Sequence, residues 1–549
     1  MQTWQHVYSP IGDSLGLSAL VALIPIVFFF LALAVWRMKG HVAGAITLVL
    51  SILIAIVAFG MPTQMALASA GYGFLFGLWP IAWIIVASVF LYKLTVKSGQ
   101  FGIIRNSILT ITEDQRIQVI LIAFSFSAFL EGAAGFGAPV AISTGLLVGL
   151  GFNPLYAATL CLVANTAPVA FGALGIPILV AGQVSALDPF TIGAMAGRQL
   201  PLLSLLIPFW IVAIMDGFKG IKEVWPAALV AGASFALAQY LTSNFIGPEL
   251  PAITSAIFSI VVLTIFLKFW KPTNVKRGHV SEELEKETSK IHTKGEVFKA
   301  WSPFLVLTVM VTLWTLKPFK ALFAKGGLLA SSVLNIEFTT ISNTIYKMAP
   351  VVVQPTSFKV VYTFSPIAAT GTAILVAAIL SIFILRMNAL VAVKTFGETL
   401  LELRWPIFTI GTVLAFAFVT NYSGMSTTMA LMLANTGILF PFFSPILGWL
   451  GVFVTGSDTS SNALFGSLQK ATADQLGISN VLTVASNATG GVCGKMISPQ
   501  SIAVACASAG LVGQESDLFR MTLKHSIGLV IIMGVLTMAQ AYLLTWMIP

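Results

Sequence analysis

Between Ala128 and Ile142 an acid, three glycines and a proline interrupt an otherwise apolar segment, Ala-Phe-Leu-Glu-Gly-Ala-Ala-Gly-Phe-Gly-Ala-Pro-Val-Ala-Ile. Each glycine weakens a helix by roughly 1 kcal/mol relative to alanine, and an interior proline removes a backbone donor and clashes with the preceding turn. A helix running through this segment is therefore expected to break. In hydrocarbon every freed N–H and C=O needs a partner, so a break at membrane depth survives only where protein or a wet cavity surrounds it. Carriers place their solutes at such breaks.

A second segment has the same character. Gly451 to Ala463, Gly-Val-Phe-Val-Thr-Gly-Ser-Asp-Thr-Ser-Ser-Asn-Ala, sets one acid among small and hydroxylated residues after an apolar run. The likeness extends outward at nearly constant spacing. Trp79-Pro80-Ile81 recurs as Trp405-Pro406-Ile407, Ser98-Gly99 as Ser423-Gly424, and Gly132 as Gly456. Asn165, Gly172 and Pro177 recur as Asn487, Gly494 and Pro499. A slowly drifting register of this kind indicates a duplicated unit.

With 57% hydrophobic and 9% charged residues over 549 positions, the chain is far from a soluble domain, where about a quarter of residues are charged. It reads as a polytopic membrane protein with the lipid bilayer as its main partner. The net charge of +9 fits the positive-inside rule better than nucleic-acid binding. Leu15 to Trp36 follows no basic n-region, which indicates a retained helix, not a cleaved signal peptide. Cys161, Cys493 and Cys506 and the five histidines lack metal-site spacing, so no cofactor or metal is expected.

Charge counting then sets the expected topology. Arg37 and Lys39, then Lys93, Lys97 and Arg105, then Lys219 and Lys222, then Lys268 to Arg277 all fall on one side, provided that about 117–150 dips in and returns as a hairpin. A polar linker, 272–299, separates an N-terminal half (1–271) from a C-terminal half (300–549), and a second hairpin lies near 441–470. About twelve crossings result, with both termini outside. The span at Trp79 runs inward and that at Trp405 outward. The fold class expected is an all-α polytopic protein of two inverted-topology repeats, each with a re-entrant helical hairpin and a broken helix. Lys317, Lys320, Lys325, Lys347 and Lys359 fall outside, in a late, long loop where the rule holds weakly.

Glu131-Gly-Ala-Ala-Gly-Phe-Gly-Ala-Pro139, Asn165-Thr-Ala-Pro-Val-Ala-Phe-Gly172, Thr455-Gly-Ser-Asp-Thr-Ser-Ser-Asn462 and Gly494-Lys-Met-Ile-Ser-Pro-Gln500 resemble the bacterial lactate permease family, over essentially the whole chain. The resemblance implies proton-coupled symport of L-lactate, with D-lactate and glycolate as further substrates, in the bacterial cytoplasmic (inner) membrane. It implies a small monocarboxylate as the transported partner and a co-transported proton in place of a cofactor.

The residues are compatible with that chemistry. Breaks expected at Gly132 to Pro139, Thr166 to Gly172, Gly456 to Asn462 and Thr489 to Gly494 would expose half-helix N-termini, whose free N–H groups attract carboxylates. Candidate substrate-binding residues are Gly135, Gly137, Asn165, Thr166, Ser457, Thr459, Ser460, Ser461, Asn462, Asn487 and Lys495. The competing reading of the small and hydroxylated members is plain helix packing. A charge at a helix centre costs about 2.5–3.5 kcal/mol on insertion scales, so Glu131, Asp458 and Lys495 need a reason. Glu131 or Asp458 is the expected proton carrier. Lys495 either pairs with an acid or faces the substrate carboxylate. Arg198 either steers anions or anchors a helix end.

Gly491-Val-Cys-Gly-Lys-Met lacks the first glycine of a phosphate loop and has Met496 where magnesium needs a hydroxyl, which argues against ATP as the energy source. The alternatives left open are a sodium-coupled or differently specific carboxylate carrier and an anion channel. A membrane enzyme would need a nucleophile or metal constellation, which the sequence does not offer. The sequence leaves the oligomeric state open.

Overall fold

The structure, a computed structural model, describes every residue except 1–2, 37, 134, 136–137, 278–291, 353 and 512–513. Arg37, Gly137 and half of the expected linker, 278–291, therefore lie outside the described residues. Beyond the linker, Thr293 accepts from the Glu296 backbone while the Glu296 side chain caps Thr293, which starts the helix Lys294–Thr315.

Among the described residues ten helices are long and apolar enough to cross a membrane. Pro154–Ala164 and Val169–Ser185, bent by 65° across a short break, together reach the same length and apolarity. The helix Pro189–Phe245 has 57 residues, a length of roughly 85 Å at 1.5 Å per residue, far beyond a hydrocarbon core of about 30 Å. It divides at Gly217, where φ is 60° and ψ −158°, and so supplies two crossings.

Both interrupted segments fold as helical pairs. The first pair is Gln115–Ala133 and Ala138–Gly149; the second is Phe440–Thr455 and Asp458–Leu476. Each turns through a glycine in the left-handed region, Gly135 at φ +60° and Gly456 at φ +69°, a conformation other residues enter only with strain. Gly132, expected to help break the helix, lies inside Ser127–Ala133 instead. A Cβ there would come within 2.6 Å of Ile253, so this glycine lets Pro251–Phe269 approach. The structural counterpart of Gly456 is thus Gly135. The duplication is clearer at Ser98-Gly99 and Ser423-Gly424. Gly99 (φ +74°) and Gly424 (φ +82°) each precede a ten-residue helix, Gln100–Leu109 and Met425–Ala434.

The break expected at Thr489 to Gly494 is absent: the helix Asn480–Lys495 is continuous, and the interruption falls at 496–498, before Pro499–Ala509. Gly490 and Gly494 serve packing, since a Cβ at either would meet the carbonyl oxygen of Pro445 (2.0 Å) or Trp449 (2.3 Å). Glycines spaced by four line one helix face and let two backbones touch, the usual device in membranes.

One end of the protein carries a cap of short strands, where the expected fold class is all-α. Leu334–Glu337 pairs antiparallel with Val361–Phe364, and Trp4–Gln5 pairs parallel with Ile345–Tyr346. The N-terminal segment therefore shares a face with the loop around 317–366. Ion pairs join residues assigned to the basic side: Lys93 to Glu402, Lys97 to Glu398, Lys276 to Asp216 and Arg277 to Glu113.

Candidate functional site

The three intramembrane charges meet. Glu131 ends the first arm of the first hairpin, and Lys495 ends the helix before the second break. Lys495 Nζ donates to Glu131 Oε1 at 2.6 Å. Glu131 Oε2 accepts from Asn165 Nδ2 at 3.0 Å, and Asn165 Oδ1 accepts from Ser127 at 3.3 Å. Asn165 follows Pro154–Ala164 at the start of the first break. Gly172 closes that break, and a Cβ on it would stand 2.7 Å from Glu131 Oε1. The glycine is what gives the carboxylate its seat.

Asp458 opens the second hairpin's returning arm, behind the N-cap Ser457. It is buried, and neither carboxylate oxygen has a hydrogen-bond partner. A Cβ at Gly491 would meet Asp458 Oδ1 at 2.2 Å. Gly491 is one helical turn before Lys495, and Asp458 lies within the electrostatic reach of both Lys495 and Glu131. Two acids thus share one base. A buried charge needs a partner or a proton, and this cluster holds one acid more than it can pair.

Each hairpin tip lies against a break. A Cβ at Gly135 would touch Ala173 (3.1 Å), and one at Gly456 would touch Gln500 (2.5 Å). The α-helix stops at Ala164, a turn and the 3-10 stretch Val169–Phe171 follow, and Ala173, Leu174 and Gly175 adopt left-handed backbone angles, so the expected break at Thr166 to Gly172 is present and runs on to Gly175. Thr166 is buried with its hydroxyl unpartnered.

The remaining candidates divide. Asn487 donates to Asn462 Oδ1 (2.9 Å), and Asn462 donates to the Pro177 carbonyl (3.2 Å). Ser461 donates to the Gly448 carbonyl and Ser457 caps Ser460. Those side chains are spent holding helices together. Thr459 and Ser460 are half-buried near the tip. Arg198 binds Asn244 and the Met547 carbonyl, as a helix-end anchor does.

The sequence singles out Gln199 only as the neighbour of Arg198 at the start of a span, and does not single out the buried Gln469. Gln469 joins Asn487 (3.1 Å) and Ser444 (2.8 Å). Gln199, in the first half, joins Ser486 (2.9 Å), Gln540 (2.8 Å) and Thr489 (2.6 Å) of the second. The signal was available, since a glutamine inside an apolar span is as costly unpartnered as any neutral polar group.

A family model described as L-lactate permease matches residues 18–544. The chain belongs to the L-lactate permease family. It is a multi-pass membrane transporter. The glycolate permease GlcA of Escherichia coli is 65% identical over all of both chains. The L-lactate permease of the same organism is 59% identical, again with 100% of each chain covered. Among solved structures, Neisseria gonorrhoeae MtrF, described within a class of antimetabolite efflux pumps, aligns at 14% identity. That alignment covers 89% of this chain and 85% of its own, with a TM-score of 0.47.

Proposed function

We propose that this protein carries L-lactate, D-lactate and glycolate inward across the bacterial cytoplasmic membrane, each with a proton, and that the strand-cap face and both termini lie outside. The family and the names of its permease relatives support the substrate class. The observation that carries the coupling is the 2.6 Å pair between Glu131 and Lys495 beside an unpartnered Asp458.

Charge balance gives the mechanism. In the empty site Lys495 is neutralised by Glu131, and a proton on Asp458 leaves the cluster uncharged. A lactate carboxylate displaces Glu131 from Lys495, and Glu131 takes a proton. The loaded site is again neutral, which removes the cost of moving a buried charge through a low-dielectric core. Substrate and proton enter together because neither alone preserves neutrality. Asn165 and Thr166, whose hydroxyl has no partner, are the donors proposed for the remaining carboxylate oxygen and the hydroxyl.

Uptake of labelled lactate into vesicles under an imposed inward proton gradient, with and without sodium, tests this. Accumulation driven by the pH gradient alone supports it; a strict need for sodium, or equilibration without accumulation, overturns it.

A further inference from the structure

The repeated Trp-Pro-Ile motif is used differently in its two copies. Trp405-Pro406 lies within the continuous helix Ala389–Tyr422, with the indole half exposed and stacked on His41 at 4.2 Å between rings. At Trp79 the span leaves helical geometry (φ −139°, ψ 123°). The carbonyls of Leu75 and Trp79, freed by that departure, accept from Tyr362 Oη of the strand cap at 3.4 Å each. The indole Nε1–H of Trp79 is buried and has no acceptor. A motif needed only for packing would look alike in both copies.

Beside Trp79 lies a cavity of about 160 Å³, lined among others by Ile84, Gln183, Thr363, Ser365 and Thr370. A water needs roughly 10–15 Å³ of such space, so a solute of a few heavy atoms fits. Trp79, whose indole N–H is shut away without an acceptor, belongs to a lining that also brings an amide and hydroxyls to apolar walls, the usual make-up of a small-molecule site. Its walls come from the first repeat and from the cap of the second half. Gln183 belongs to Gly172–Ser185, the helix leaving the first break. Behind Thr370 its hydroxyl donates to Glu249 at 3.4 Å, in the loop between Pro189–Phe245 and Pro251–Phe269. Burial pushes that carboxyl up from its ordinary value, which favours the uncharged form near an anion.

We propose that this cavity is a second, outer binding site for the transported hydroxy-carboxylate, where Trp79 Nε1 and the Gln183 amide hold the solute before it reaches Lys495. The assignment rests on the transport reading above for the identity of the solute.

The test has two arms in purified protein. In proteoliposomes Trp79→Phe keeps the ring and removes the donor. The KM for lactate or glycolate should rise about threefold to tenfold, the worth of one hydrogen bond, with the maximal rate within twofold. In the second arm Ser365→Cys supplies a reactive thiol, the three native cysteines being buried, in a chain that also carries Lys495→Ala to disable the inner site. Millimolar L-lactate or glycolate should slow its labelling by a maleimide at least about threefold, the ligand excluding the reagent as at any occupied pocket. An unchanged KM in Trp79→Phe, or labelling of Ser365→Cys that ignores both solutes, overturns the outer site. Labelling is read without transport, so a wild-type protein that takes up neither solute would sink the transport reading separately.

Discussion

Lys495 and Glu131, 364 positions apart in sequence, share a 2.6 Å ion pair that ties the end of one repeat's helix to the hairpin of the other. Both side chains are largely buried. Removing one member of such a pair leaves the other uncompensated, at a cost of about 3–5 kcal/mol, whereas an apolar replacement of both is often neutral. Glu131→Leu and Lys495→Met should each lower the thermal midpoint in detergent, the first by less because Asp458 stands within reach of the lysine. The double variant should recover most of the loss, and no variant lacking Lys495 should take up lactate. Uptake by Lys495→Met at near wild-type rate would exclude the lysine as the carboxylate's partner.

Gly172 offers a sharper probe of the same seat. Its backbone is not in the left-handed region, so alanine adds only a methyl group, placed 2.7 Å from Glu131 Oε1. Gly172→Ala should cost about 1–3 kcal/mol through overpacking and cut the rate of transport at least tenfold by displacing the carboxylate. Gly145→Ala, where a Cβ meets nothing within 4 Å, is the control and should be neutral or stabilising by up to about 1 kcal/mol.

Gly490 and Gly494 should act on the fold before the chemistry. With Pro445 and Trp449 carbonyls in the way, Gly490→Leu or Gly494→Leu forces Asn480–Lys495 off Phe440–Thr455. Loss of the folded peak in size-exclusion chromatography is the expected result; full expression and wild-type melting would contradict the packing described here.

His6 sets a pH dependence on the cap. Its Nε2 lies 2.8 Å from the Tyr422 carbonyl, and burial, opposed by that hydrogen bond and reinforced by Lys347, holds the imidazole down at about 4. With an unfolded value near 6.5, the chain gains a proton on unfolding between these limits. The stability tied to neutral His6 is fully present above about pH 6.5 and is lost as pH falls through about 4, at most roughly 3 kcal/mol at 1.36 kcal/mol per unit. Melting of wild type against His6→Gln across pH 4–8 checks this. The difference should shrink toward acid; a difference that grows toward acid would reverse the assignment.

Much of the fold was legible because membrane cost is read directly from side-chain type. Glu131, Asp458 and Lys495 stood out as charges that hydrocarbon penalises, and Gly135 and Gly456 mark turns that only glycine enters freely. The partnership of Lys495 with Glu131 was not legible, because no local period links residues in opposite repeats. The glycines of 490–494 have the composition of an unwinding signal and instead serve packing, since composition alone does not separate a glycine that frees the backbone from one that admits a neighbouring backbone. Asn462 and Asn487 read in the sequence as donors for a substrate, but Asn487 donates to Asn462 Oδ1. The cap strands are two to four residues long, too short to show alternation.

On the proposed mechanism lactate takes Glu131's place at Lys495 while a proton neutralises the displaced carboxylate. Protons and labelled lactate counted together in proteoliposomes test it most directly, for wild type, Glu131→Gln and Asp458→Asn. The account predicts one proton per lactate in wild type and in Asp458→Asn, and lactate exchange without accumulation in Glu131→Gln. Full accumulation against a gradient in Glu131→Gln, with protons still counted one for one, would contradict it.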